Sequence, residues 1–509
     1  MIVVLNFGGQ FAHLIARRIR DLGVRAEILP GDASASAVAA LKPSGIILSG
    51  SPHSVLEDGP LPDREIFHLN VPVLGICYGH QAMAYLLGGK VETEEQKEFG
   101  KETLSIKKKN KLFKGLASKE IVWFSHGDQA TRLPGGFVAT ASTKTCKLAA
   151  FADEKRRFYG IQFHPEVTHT VRGNTILSNF VFGICRAKED WDMKSVAKKI
   201  IADMKKEVGD AHVVIGISGG VDSLVAATLL YKAIGNRLHA VFVDTGLLRK
   251  NEVESVSKSL RSRGFKNLHV IDASEAFLSR LEGVTDPEEK RTIIGHSFVE
   301  VFEGALDKEL KAFPIKYLAQ GTIYPDRIES ASTSKHASKI KSHHNLTLPA
   351  RMRLDVLEPV KDLYKDEVRK VGEELGIPHD MVWRHPFPGP GLAVRIVGEV
   401  TKERLAILRE ADAVFTEELR AGKEYDKIWQ AFAALFPLKV VGVMGDARTY
   451  EYVIALRAVD SVDGMSADWH KIPDELLSRI SSKIVNSVRG VNRVLYDVTQ
   501  KPPATIEYE

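Results

Sequence analysis

The sequence predicts an α/β protein: two doubly wound, mostly parallel-sheet domains followed by a smaller α+β C-terminal domain. Three observations carry this. Short apolar runs alternate with segments of helical spacing through the first two thirds of the chain, the pattern of parallel strands covered by helices on both faces. That alternation breaks at the charged stretch RAKEDWDMKS, residues 186–195. It breaks again at HPFPGPGLAV, residues 385–394, where proline and glycine are too dense for helix or strand. The breaks divide the chain into residues 1–190, 191–385 and 386–509, and 509 residues suit about three domains of roughly 100–200 residues each.

Taken in order, residues 2–5 (IVVL) form the first strand candidate and lead through glycines into the helical pattern FAHLIARRIRDLG. Residues 45–48 (GIIL), 71–76 (VPVLGI) and 158–163 (FYGIQF) are further strands, and 213–217 (VVIGI) with 240–243 (AVFV) open a second series. In such sheets ligands gather at the carboxyl ends of the strands. Residues 107–114, KKKNKLFK, read as a solvated turn in a surface hairpin. Beyond residue 394 the pattern changes to a helix at 401–421, strands at 438–444 and 451–458, a helix at 473–488 and a strand at 493–498.

Composition narrows the function classes. Hydrophobic residues make up 44% and charged residues 27%, ordinary for a globular protein. A net charge of +5, from 70 basic and 65 acidic residues, gives no case for nucleic acid or an anionic membrane as partner. The opening MIVVLNFGGQ lacks the basic lead of a signal peptide, and no run approaches the ~20 apolar residues of a membrane span. Cys77, Cys146 and Cys185 are too few and too scattered for a disulfide framework or a closed zinc site. A cytoplasmic setting is expected.

LGICYGHQ, residues 74–81, places a cysteine where an apolar strand turns sharply into a helix. This is the geometry of a nucleophile elbow. The helix N-terminus favours a thiolate at Cys77. A thiolate needs a base and a group to orient that base, and IQFHPE at 161–166 offers His164 with Glu166 two residues on. The turn SGSP at 49–52 ends another strand and can present backbone N–H groups to an oxyanion. Cys146 and Cys185 have no such turn and read as packing. GICYGHQ with a later FHPE resembles the triad glutamine amidotransferases. The resemblance implies Cys77 as nucleophile towards the glutamine side-chain amide, His164 as base and Glu166 as its orienter. It also implies backbone N–H groups of Gly50 and Tyr78 as the oxyanion hole and Gln81 in the glutamine seat. The family has two glycines where this chain has Gly50-Ser51, a change that leaves the backbone groups in place.

VVIGISGGVDSLVAATLL is strand, turn and helix, with Ser218, Gly219 and Gly220 at the helix N-terminus, an arrangement that binds phosphate. It is neither a Walker loop nor G-x-G-x-x-G. SGGVDS, residues 218–223, resembles the pyrophosphate loop of enzymes that split ATP into AMP and pyrophosphate. The resemblance implies ATP contacts from Ser218, Gly219, Gly220, Val221, Asp222 and Ser223, with magnesium held at Asp222. Asp244, ending the strand AVFVD, becomes an adenosine-side carboxylate. The small, basic stretch 330–345 becomes a lid over triphosphate, with Lys341 in contact.

One domain that releases ammonia and one that activates an acceptor with ATP define a reaction class. Ammonia displaces an amide-like oxygen poorly; transferring AMP to that oxygen makes it a good leaving group. The order of parts, together with RHPFPGPGLAVR, VGVMGDARTYEY, DGMSADW and the final KPPATIEYE, resembles the glutamine-hydrolysing GMP synthetase family over the full chain. That resemblance implies xanthosine 5′-monophosphate (XMP) as acceptor, aminated at C2, and a homodimer through the C-terminal domain. It implies XMP contacts from Lys501, Ile506 and Glu507, with Arg291 near the nucleotide phosphate. A sulfur-transferring relative is expected to carry further cysteines near the second domain, and a phosphorylating one a P-loop; neither is present in the sequence.

Overall fold

A computed structural model describes residues 1–509 other than 10, 58, 327–353, 445–446, 462, 463 and 465. The chain forms two compact units, Met1–Asp192 and Met193–Glu509.

The first unit is built on a nine-stranded sheet of order β2-β1-β3-β4-β9-β8-β7-β5-β6. Strands β1 (Ile2–Asn6), β2 (Ala26–Pro30), β3 (Gly45–Leu48), β4 (Val73–Ile76) and β9 (Phe158–Ile161) pair in parallel. Strand β1 shows why this half was readable. Ile2 and Val4 enter the core on one face, while Val3 and Leu5 enter the core on the other. A strand buried on both faces is continuously apolar, and each such side chain contributes about 1.5–3 kcal/mol on burial.

The other half is antiparallel, a feature the strand pattern did not predict. It comprises β5 (Lys90–Ile106), β6 (Lys119–Arg132), β7 (Val138–Ser142) and β8 (Ala150–Asp153). Strands β5 and β6 form a long antiparallel pair, and the basic stretch 107–114 lies in the connection between them.

The second unit holds two sheets. Strands β10 (His212–Ile217), β11 (Leu238–Asp244), β12 (Leu268–Asp272), β13 (Ile315–Ala319) and β14 (Asp355–Leu357) form an all-parallel sheet of order β12-β11-β10-β13-β14. Strand order reverses at β10, so its carboxyl end is the switch point where ligands bind; SGGVDS begins there. In the last sheet β15 (Gln430–Met444) and β16 (Ala447–Asp460) are antiparallel, β17 (Asp468–Trp469) extends them and β18 (Val491–Tyr496) lies parallel to β16.

Helices Lys402–Ala421 and Asp474–Ser487 pack into the core beside this sheet. One continuous core joins Val214, Val241 and Leu318 to Leu392, Leu408, Leu435, Ile454 and Ile480. The proline–glycine stretch 385–394 therefore separates two sheets in sequence yet lies inside one core. Leu392 donates its N–H to Leu247 O at 2.8 Å. Arg395, Arg457 and Lys290 are almost fully buried, each with polar partners.

Candidate active sites

Strand β4 delivers Cys77 to the N-cap of the helix Tyr78–Leu86 with φ +53° and ψ −107°. A non-glycine residue held there carries roughly 1–3 kcal/mol of strain. Glycine is needed on either side because the chain approaches itself: a Cβ at Gly75 would stand 2.4 Å from Gly79 O, and one at Gly79 2.2 Å from Leu48 O. The strained residue is the cysteine itself, and the glycines make room for it.

Around Cys77 the groups are close and almost wholly buried. His164 Nδ1 lies 2.7 Å from Glu166 Oε1, with His164 3% and Glu166 1% exposed. Burial alone depresses the His164 imidazole. The Glu166 carboxylate and the Cys77 thiol outweigh it and hold its pKa well above the usual value. This favours the protonated imidazole at His164. His80 is no competitor as base, because complete burial pushes it down to about 3. The backbone at Gly50 lies against both groups, since a Cβ there would meet His164 Cε1 at 3.2 Å and Cys77 Cβ at 3.8 Å. Tyr78 opens its helix, where no intrahelical carbonyl reaches its N–H. Gln81 is buried, and its amide donates to Asp128 O at 2.6 Å and to Gln162 Oε1 at 3.3 Å.

Sequence reading missed three contributors. Gln162 donates to Cys77 Sγ at 3.7 Å, and Ser125 O accepts from the thiol at 3.6 Å. Trp123 O accepts His164 N–H at 2.9 Å. Strand β6 thus touches nucleophile, base and Gln81. Gln162 stood within IQFHPE and was open to notice. Nothing local to β6 signals its contacts.

In the second unit Gly219 takes φ +76° and Gly220 caps the helix Val221–Ile234. Gly220 N–H and Ser223 Oγ both lie near Ser218 Oγ, at 3.3 and 3.2 Å, and Ser223 Oγ donates to Gly220 O at 3.1 Å. These bonds shape the turn. Asp222 in the first helical turn is ion-paired through Oδ2 with Lys365, while its buried Oδ1 has no hydrogen-bond partner among the described residues. Arg384 donates to Gly219 O at 2.7 Å and is ion-paired with Glu252. Arg369 lies over the Trp383 ring at 5.1 Å, and burial lowers its pKa against the opposing pull of Asp222 and Asp366. Lys365, Arg369 and Arg384 are cations that sequence reading did not single out. Asp244 accepts Gly246 N–H at 2.9 Å as a strand-end cap. Lys341 and the whole stretch 330–345 lie outside the described residues.

The four acceptor-site candidates lie in this unit, and Arg291, Lys501 and Glu507 each have polar partners. Arg291 donates to Glu509 O, and Lys501 Nζ donates to Gly464 O at 2.7 Å. Glu507 takes a two-pronged pair from Arg395, at 2.9 and 3.0 Å, and the Gln430 amide at 2.7 Å. Ile506 is buried beside Phe432, Val459 and Ala467. The tail is not frayed, because the Arg457 guanidinium binds Thr499 O, Thr505 O and Ile506 O at 2.8–3.0 Å.

The family described as glutamine amidotransferase class-I matches residues 3–184, that described as NAD synthase matches 193–288, and that described as GMP synthase C terminal domain matches 417–508. Over its whole length the chain is 53% identical to a protein of Oleidesulfovibrio alaskensis named GMP synthase [glutamine-hydrolyzing], covering 99% of that protein. Proteins of the same name from Aquifex aeolicus and Carboxydothermus hydrogenoformans are 52% and 53% identical, with 100% of this chain and 99% of each relative covered.

Proposed function

The chain belongs to the family of glutamine-hydrolysing GMP synthases, ATP-using ligases with a glutamine amidotransferase domain, and from that premise we propose how its residues divide the work. Cys77 attacks the glutamine amide, His164 takes and returns the proton, and Glu166 holds the imidazole. The oxyanion forms against backbone N–H groups of Gly50 and Tyr78, and Gln81 borders the glutamine seat. Ammonia leaves, and water releases glutamate from the thioester. The observation that carries this reading is the strained Cys77 beside the buried His164–Glu166 pair at 2.7 Å.

Residues 218–223 cradle the ATP phosphates, with Lys365, Arg369 and Arg384 supplying the positive charge that stabilises departing pyrophosphate. Asp244 is assigned to the adenosine side, and Lys341, outside the described residues, to the triphosphate. The C2 oxygen of XMP attacks the α-phosphorus, pyrophosphate leaves, and ammonia then displaces AMP to give GMP. Asp222 Oδ1, a buried carboxylate oxygen without a partner among the described residues, fits Mg²⁺; the ion supplies charge neutralisation to the phosphates. Arg291, Lys501, Ile506 and Glu507 form the acceptor site, so their present partners yield to the nucleotide.

In this reading residues 1–190 are the amidotransferase domain, 191–385 the adenylylating domain and 386–509 the dimerisation domain. Exposed Leu438, Val441, Val443 and Tyr450 on β15 and β16 form an apolar patch suited to a second copy. A cytoplasmic setting, where the nucleotide substrates are made, fits this reading. The deciding assay follows AMP and pyrophosphate from Mg-ATP and ammonium, with and without XMP. Formation that requires XMP supports the scheme. ADP, or formation indifferent to XMP, defeats it.

A further inference from the structure

On strands β5 and β6, beside the residues that touch Cys77, lies a buried acid–base pair that the reaction scheme does not use. His126 Nε2 is 2.8 Å from Glu98 Oε2, and the two side chains are 6% and 7% exposed. His126 Nδ1 is 2.9 Å from Asp128 O. A carbonyl only accepts, so Nδ1 carries a hydrogen. Nε2 then faces a carboxylate, and a contact of that length needs a second proton. That proton bridges Nε2 and Oε2, so the contact is a hydrogen bond. Glu98 Oε1 is satisfied separately by the hydroxyls of Thr143, at 3.2 Å, and Thr145. Cys146 Sγ lies close by.

The location is informative. Strands β5 and β6 lose register here: Thr93 pairs with Asp128, but Glu98 pairs with His126. Five steps along β5 thus face two along β6, so the ladder is interrupted opposite Gly127 and the Glu98–His126 pair stands at the edge of the break. Ser125 O, just before His126, accepts from Cys77 Sγ, and Asp128 O, which His126 itself binds, accepts from Gln81.

We propose that Glu98 and His126 are positioning residues for glutamine hydrolysis: their pair anchors β6 at the edge of the register shift, where the carbonyls of Ser125 and Asp128 orient the Cys77 thiol and the Gln81 amide. The inference rests on the amidotransferase reading of Cys77.

Two substitutions at Glu98 test it. In Glu98→Gln the amide nitrogen can donate to a neutral His126 while the amide oxygen still accepts from the threonines, so position survives without charge. In Glu98→Ala the segment loses its anchor, and a displacement of about 1 Å costs on the order of 10²-fold in rate. With glutamine as nitrogen source, Glu98→Ala is expected to lose about 30- to 100-fold in kcat/KM, and Glu98→Gln to recover to within about fivefold of the parent. With ammonium both keep the parent's rate, which also reports that the rest of the chain is folded. Glutamine kinetics in Glu98→Ala within threefold of the parent, or equal losses in both variants, would overturn the proposal. Should Glu98→Ala fail to fold, Thr145→Val removes one donor to Glu98 and is expected to raise KM for glutamine about three- to tenfold; an unchanged KM overturns the proposal just as firmly. Cys77→Ala in parallel keeps the two readings apart, because glutamine use surviving that change refutes the amidotransferase assignment and leaves the Glu98 comparison unexplained by it.

Discussion

The two candidate sites are prepared in different ways. At Cys77 the reacting groups already face one another: Cys77 is 5% exposed, His164 and Glu166 less, and β6 holds them from behind. At the SGGVDS turn the charged groups pair with one another. Asp222 pairs with Lys365, Arg384 with Glu252, and farther along the unit Glu507 pairs with Arg395. The first site is complete before its substrate arrives, so its cost is carried by the fold as backbone strain at Cys77. The second has its cations neutralised by the protein's own carboxylates, which phosphate would replace in the proposed scheme. A small neutral amide needs the former, and a highly charged triphosphate suits the latter.

The comparison breaks most sharply at Cys77. Cys77→Ala is expected to lower glutamine-dependent synthesis by at least about 10³-fold and to spare ammonium-dependent synthesis. Both rates are read in one AMP assay. Equal loss with both nitrogen sources would mean that the two sites are not chemically separable. Glu166→Gln comes next. It leaves the shape but withdraws the charge that keeps His164 basic, and about 10²- to 10³-fold loss with glutamine is expected, by analogy with triad orienters elsewhere. A glutamine rate within threefold of the parent would remove Glu166 from the machinery.

How much of this was legible in the sequence follows the same division. The elbow was legible because strain leaves local marks: a cysteine at positive φ requires Gly75 and Gly79 within two residues of it. The central parallel strands β1, β3, β4, β9, β10 and β11 were legible because both faces are buried, whereas β2, β12 and β14, more exposed, were not. Strand β5, KVETEEQKEFGKETLSI, was not. Its polar run carries no apolar alternation, and its register shift near Glu98 interrupts what periodicity remains. Long-range charge pairs leave no spacing at all. Lys365 is 143 residues from Asp222, and Arg395 is 112 from Glu507. The C-terminal tail shows the limit of local rules: read alone it is an end free to fray, but Arg457 pins it with three carbonyl contacts.

The paired cations of the second unit offer an intermediate test. Lys365 is 41% exposed and Asp222 25%, so their attraction is partly screened and contributes little to stability. Lys365→Ala is therefore expected to leave the unfolding temperature nearly unchanged while slowing adenylylation about 10²-fold, with KM for ATP raised. Initial rates of pyrophosphate release measure the second, and calorimetry the first. A large loss of stability with normal pyrophosphate release would make Lys365 a structural residue and undo the contrast between the sites.

The smallest effect concerns pH, and its sign follows from His164. Its folded pKa is raised above the ordinary value near 6.5. Below about pH 6.5 both folded and unfolded chains carry this proton, and the pair with Glu166 contributes its full stabilisation. As pH climbs, the unfolded chain releases the proton first, and the contribution shrinks until it is lost as pH passes the raised folded value. Glu166→Gln removes the cause of the shift. The parent should thus exceed the variant in stability most at about pH 6 and least in alkaline solution. Unfolding of a chain with two units is not a single transition, so the comparison belongs to hydrogen exchange in peptides spanning β9 and His164. Protection there should differ at pH 6 and converge towards pH 9, after correction for intrinsic exchange. A difference that stays constant across that range would show that Glu166 holds His164 by packing alone, and that the first site, like the second, sets its charges only when substrate arrives.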